Sequence, residues 1–190
     1  MNTIFSVNTD VTPKSGALRF VAITVIGAAL LTLSAKAHVP MYPVPMTLQT
    51  LAVMAFASMF GWRQAAAIYI GYLAMGAAGY PVFSGTPERG IGLAYMMGPT
   101  GGFLFGMLVA TLFIGRFAYG KNSMIQFAIM VIGLVPIFGF GMVWLANFVP
   151  IEKVMEYGLN PFILGGVVKA AIAALCAPLA FKLLRRGGLI

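Results

Sequence analysis

Charge is what this chain has least of. Only 8% of its 190 residues are Asp, Glu, Lys or Arg, where a soluble domain carries about 25%. That leaves too few polar groups to cover a water-facing surface. With 61% hydrophobic residues, the composition is that of an integral membrane protein. Soluble classes are excluded, nucleic-acid binders among them, because a net charge of +8 in such a chain reports topology. One cysteine, Cys176, rules out an internal disulfide framework. One histidine and four acids (Asp10, Glu88, Glu152 and Glu156), none of them in an apolar run, leave no metal cluster, acid–base pair or triad within the spans. No enzyme chemistry, metal or cofactor is therefore expected. The opening "MNTIFSVNTDVTPKSG" lacks an apolar h-region, so no cleaved signal peptide is expected. Residues 1–16 read as a short polar tail and 17–190 as one membrane domain.

A helical span needs about 20 largely apolar residues. Six segments are expected to cross: Ala17–Ala35, Thr47–Phe60, Gln64–Ala78, Leu93–Ile114, Met124–Phe148 and Pro161–Leu184. Backbone groups in lipid are satisfied only internally, so all six are expected to be helices. Pro136 predicts a kink in the fifth. Pro161 suits a first helical turn, with Asn160 as its cap.

The charges are consistent with six spans. If connections alternate sides, one side holds Lys14, Arg19, Arg63, Arg116, Lys121, Lys182, Arg185 and Arg186 against the single acid Asp10. The other holds Lys36, Arg89 and Lys153 against Glu88, Glu152 and Glu156. The positive-inside rule then places both termini in the cytoplasm. The connections "KAHVPMYPVPM", "GYPVFSGTPERGIG" and "VPIEKVMEYGLNP" all fall outside.

Lys169 is the residue most in need of an explanation. It lies about nine residues into the last span, roughly 13 Å along a helix, where a cation costs about 2.5–3.5 kcal/mol to insert. Gly165 and Gly166 lie one turn earlier on the same face and clear space beside it. No span supplies an acid to neutralise it, so an anionic or strongly polar ligand is expected to face Lys169; snorkelling to the outer interface is the alternative. Arg89, in "SGTPERGIG", presents a fork matched to a carboxylate, or else pairs with Glu88. His38 and Lys36 sit at an interface, where lipid headgroup contact is expected. Gly98, Gly102 and Gly106 form a four-residue stripe suited to close helix packing. "GRFAYGKNS" has the spacing of a phosphate-binding loop, but Asn122 stands where a hydroxyl is needed and a membrane helix precedes it, so it reads as a cytoplasmic turn.

"HVPMYPVPMTLQT" places Pro40, Pro43 and Pro45 between the first two spans. Each proline fixes φ and withholds a donor, so a stiff outer wall to a substrate pocket is expected. Tyr42 would offer it an apolar face, and Thr47 and Gln49, opening the second span, would turn polar groups to the ligand.

"VPMYPVPMTLQTLAV", "GYPVFSG" followed by Arg–Gly, "GPTGGFLFG" and "NPF…K" occur in this order here, and the chain resembles the BioY family over nearly its whole length. These are the biotin-specific S components of energy-coupling-factor (ECF) vitamin transporters. The resemblance implies an all-α bundle of six transmembrane helices that binds biotin from outside. It implies a bacterial inner-membrane location and assembly with a T component and two ABC-type ATPases, although some members occur without dedicated partners. Substrate-binding residues implied or expected are Lys169, Arg89, Gln49, Thr47, Tyr42, Gly166 and Asn160. Family members carry an aspartate three residues before the last-helix lysine, whereas this chain reads "GGVVK", with Gly166 in that place. A biotin relative as ligand is therefore the alternative. For docking the T component, the nearest equivalent of a small-residue pattern on the first helix is Thr24, Ala28 and Thr32.

Overall fold

The computed structural model describes residues 13–88 and 90–186, so Arg89 lies outside the described residues. The element order is α1 (Pro13–Lys36), β1 (His38–Val39), β2 (Met46–Thr47), α2 (Gln49–Ala77), α3 (Leu93–Met96), α4 (Gly101–Phe117), α5 (Ser123–Leu145), α6 (Ile151–Gly158) and α7 (Asn160–Arg186). Four helical stretches are long and apolar enough to cross a membrane: Gly16–Lys36, Gln49–Ala77, Ser123–Leu145 and Ile151–Arg186. α4 is apolar but shorter, at 17 residues. Large apolar side chains such as Leu18, Val25, Met124, Val143, Leu164 and Leu175 point outwards. On a soluble protein such a surface would aggregate; in a bilayer it faces lipid.

The tail expected over 1–16 is already helical from Pro13. α2 covers the ground of the expected second and third spans. It is interrupted at Gly61, where φ is 75° and ψ 171°, a conformation open to glycine for want of a Cβ. The chain reverses at this point, as contacts along α1 show. Leu48 N–H donates to the Ala37 carbonyl at one end of α1 (3.0 Å). Gln64 Nε2 donates to the Phe20 carbonyl (3.2 Å) and Thr24 Oγ1 (2.9 Å) towards the other. The chain then returns, and Lys36 Nζ reaches Thr86.

The expected fourth span, Leu93–Ile114, is split into α3 and α4. Pro99 disfavours helix at Gly98 and withholds a donor, and the Gly98 carbonyl instead accepts from Trp144 Nε1 at 2.9 Å. α5 starts on a side-chain cap, Ile125 N–H donating to Asn122 Oδ1 at 2.9 Å. Asn160, expected as a cap, is the first helical residue of α7. The Leu159 carbonyl receives the N–H groups of Phe162 and Ile163 and so holds the cap position. Two features were not expected: the small antiparallel pair His38↔Thr47 and Val39↔Met46, and α6.

α4 and α5 meet through the glycine stripe. A Cβ on Gly102 would stand 2.4 Å from the Phe140 carbonyl oxygen, and one on Gly106 2.5 Å from that of Pro136. Backbones approach this closely only where the side chain is hydrogen. Gly98 lies in the turn before α4; it meets α5 through Trp144 and takes no part in the close backbone approach. Tyr69 and Tyr72 of α2 fill the centre, and the Tyr69 hydroxyl donates to the Leu104 carbonyl at 3.0 Å. The bundle thus has a hairpin end, gathering residues 38–47, the loop after α2 and α6. Its Gly61 end gathers the turns at 61–63 and 115–121 and the last turns of α7, where the Tyr119 and Phe181 rings lie 5.5 Å apart.

Candidate functional site

Near the hairpin end, α7 carries Lys169 to a cavity of about 50 Å³ between α7, the hairpin, α4 and α5. Its lining includes Thr47, Thr50, Gly166 and Lys169, with apolar walls from Phe103, Ile137, Phe138 and Phe162. Lys169 is half-buried, and its Nζ donates to the Thr47 carbonyl at 2.6 Å. Among the described residues the ion pair found is Lys153–Glu156, 2.6 Å apart on α6, so no described carboxylate neutralises Lys169. A half-buried ammonium held by one carbonyl dipole keeps two donors for an incoming polar group.

Local sequence explains the arrangement. Thr47 ends β2, and its hydroxyl accepts the Gln49 N–H at 3.3 Å, starting α2. Its carbonyl is thereby left aimed across at α7. Gly166 is buried one turn before Lys169. A Cβ there would meet Leu134 at 3.2 Å and Phe138 at 3.4 Å, so glycine sets the clearance between α7 and α5. Val44 and Pro45 close the cavity from the hairpin side. Small-molecule sites usually enclose about 300–1,000 Å³. At about 50 Å³ this one is smaller than that range as the hairpin and helices stand.

Of the residues singled out in the sequence, Lys169, Thr47 and Gly166 come together here. Tyr42 and Asn160 do not. They line a separate outer depression of about 540 Å³ with Met41, Glu156, Tyr157 and Pro161, sharing only Val44 with the first. Tyr42 is 84% exposed, so the apolar face expected of it is turned away from Lys169; the flanking prolines Pro43 and Pro45 are buried instead. Gln49 is buried beside Tyr72, its Nε2 without a partner, and does not line the cavity. Lys36, expected at lipid headgroups, donates to Thr86 Oγ1 at 2.8 Å and ties α1 to the loop after α2.

The aromatic wall is not legible in the sequence. Phe103 and Met107 sit at i and i+4 on α4, and Ile137 and Phe138 follow Pro136 on α5. Within uniformly apolar spans, inward and lipid-facing positions have the same composition, so no amphipathic contrast marked them. Thr50, one residue after Gln49, was the one polar signal available.

Ala28 is also placed differently from expectation. It is 2% exposed in the bundle core, packed with Gly27 against α2 rather than on the outward face of α1. Thr24 and Thr32 bond back to the Phe20 and Ala28 carbonyls. The outward face of α1 is Val21, Val25, Ile26 and Leu33.

The sequence profile described as the BioY family matches residues 6–186. A probable biotin transporter BioY from Pyrococcus horikoshii is 34% identical over 157 residues, which is 83% of this chain and 93% of that protein. A biotin transporter BioY from Thermotoga maritima is 35% identical over 155 residues, 80% of this chain and 89% of that one. The fold is similar to a crystal structure of the S-component for biotin from an ECF-type ABC transporter. That similarity has a TM-score of 0.78 at 21% identity and covers 90% of this chain and 95% of the other. With helices long enough to cross a bilayer, relatives named as transporters and a family match across almost its whole length, this chain is an integral membrane protein that belongs to the BioY family.

Proposed function

We propose that this chain is a membrane S component that captures biotin and delivers it inward with an ECF module. The observation that carries the reading is Lys169: a half-buried cation, without a described carboxylate partner, facing a cavity walled by aromatic and aliphatic side chains. Biotin has a carboxylate, a polar ureido ring and an apolar body. The Lys169 ammonium and the Thr47 segment suit its polar groups, and Phe103, Phe138 and Phe162 suit the apolar body. Relatives named as biotin transporters support the same ligand.

Counting α2 as two spans that turn back at Gly61, and α4 as one short span, gives six crossings. Positive charge at the Gly61 end supports cytoplasmic termini, with the Lys169 cavity facing outward; the membrane of this reading is a bacterial inner membrane. A T component and two ABC-type ATPases would supply the energy, since the spans hold no acid to carry a coupling proton. Arg89, Tyr42, Gln49 and Asn160 remain proposed ligand contacts of the opened state. Isothermal titration of the purified chain with biotin, dethiobiotin and pimelate tests the assignment. Heat with biotin and little with pimelate is expected; no heat with biotin while another compound binds would overturn it. Gly166, which leaves Lys169 without an acid one turn away, favours a second reading in which the ligand is a biotin relative, and the dethiobiotin arm reads that outcome.

A further inference from the structure

The Gly61 end of the bundle holds a second cavity of about 520 Å³, lined by Gly61, Trp62, Arg63, Gly115, Arg116, Tyr119 and Lys121 among others. Two close approaches build it. The glycine turn at Gly61 reverses α2 and presents Arg63 just beyond. Gly115 then sits against that turn: a Cβ on it would lie 2.6 Å from the backbone of Trp62, so Arg116 is brought to the same opening. The third cation is placed by a buried side chain, Gln126 Nε2 donating to the Lys121 carbonyl at 3.1 Å. All three cations are exposed, and the residues lining the opening include no carboxylate: the described acids Glu88, Glu152 and Glu156 all lie at the hairpin end. Like charges gathered in one opening repel unless an anion lies between them.

Two further features fit a membrane-borne anion. Trp62 and Tyr119 border the opening, 42% and 45% exposed, and such rings favour the headgroup level of a bilayer. α4 has 17 residues, about 25 Å at ~1.5 Å per residue, less than a hydrocarbon core of ~30 Å. A span this short is met by local thinning of the bilayer and by snorkelling of its flanking residues, which brings the phosphates within reach of the Arg116 end. We propose that this cavity binds a phosphate-bearing anion, with Arg63, Arg116 and Lys121 sharing its oxygens and the two aromatic rings flanking its stem. The chemistry is common to an anionic phospholipid headgroup and to free phosphate, and the experiment separates them. This inference uses the membrane placement of the chain but not its ligand, so it stands or falls apart from the biotin reading.

The test is native mass spectrometry of the full chain, released from detergent with phosphatidylglycerol or phosphatidylcholine added, with and without inorganic phosphate. The comparison is between wild type, the triple variant Arg63→Gln/Arg116→Gln/Lys121→Gln, and a charge-matched control, Lys182→Gln/Arg185→Gln/Arg186→Gln, on the neighbouring end of α7. Retained phosphatidylglycerol adducts in wild type and control are expected, weakened about fivefold for each cavity charge removed, the equivalent of about 1 kcal/mol per charge. If the triple variant does not fold, Arg63→Gln and Arg116→Gln singly read the same step. Displacement of lipid by millimolar phosphate, with phosphate adducts lost in the triple variant, assigns the free anion as the ligand. Equal retention of both lipids, or equal weakening by the α7 control, overturns the proposal. So does an unchanged lipid profile in a triple variant that has lost co-purification with a protein partner, which would make the cluster a protein contact.

Discussion

At the scale of single residues, the proposed ligand chemistry turns on the balance between Lys169 and Gly166. A lone half-buried cation costs several kcal/mol of lost hydration, and here the described compensation is one bond to the Thr47 carbonyl. An acid at position 166 would lie three residues before Lys169, on the same face, and would add acceptors for N–H donors. The groups a Cβ there would touch are the far ends of Leu134 and Phe138, at 3.2 and 3.4 Å, a few tenths of an ångström from ordinary contact. Gly166→Asp is therefore expected to fold and to bind biotin more tightly than wild type by titration. An unchanged or weaker affinity in a folded variant would mean that the glycine is kept for space. Lys169 itself stood out in the sequence because charge was so scarce that one cation in an apolar run was conspicuous. The aromatic wall opposite it had no such contrast.

At the scale of elements, the glycine stripe and the interrupted α2 hold the site in register. Gly106→Leu drives a side chain into the Pro136 carbonyl. Overpacking of this kind costs about 1–3 kcal/mol, so a lower thermal midpoint is expected, with biotin restoring part of it. A midpoint equal to wild type would show that α4 and α5 do not pack as described. Ala28→Leu, buried against α2, is expected to lower the midpoint as well. If it instead left stability intact and blocked only transport, α1 would be docking through that face. The helices and the reversal near "GWRQ" were legible because apolar run length and glycine punctuation write them directly. The division of Leu93–Ile114 was also written, in Gly98–Pro99, but the surrounding hydrophobicity masked it. The hairpin and α6 were not legible. Two-residue strands carry no periodicity, and α6 lies in a connection at the hairpin end where eight residues barely establish one.

At the scale of the whole molecule, the account requires two chemically different ends. The hairpin end bears the Lys169 cavity and the described acids, and the Gly61 end bears the cluster of Arg63, Arg116 and Lys121. With Cys176 replaced by serine, a single cysteine introduced at Tyr42 is expected to react with a membrane-impermeant maleimide on intact cells. One at Tyr119 is expected to react only after permeabilisation. The opposite pattern would invert the topology and turn the Lys169 cavity towards the cytoplasm. Both positions are well exposed, at 84% and 45%, so accessibility within the protein does not confound the result.

The central claim is that Lys169 is the cation that holds biotin. The most direct measurement is isothermal titration of biotin into purified wild type beside Lys169→Ala, each first shown to be folded and monodisperse. A hydrogen bond to a charged group contributes about 1.5–3 kcal/mol, so the account predicts saturable one-to-one binding by wild type and affinity at least about tenfold weaker in the variant. Equal biotin affinity in the two proteins would contradict it.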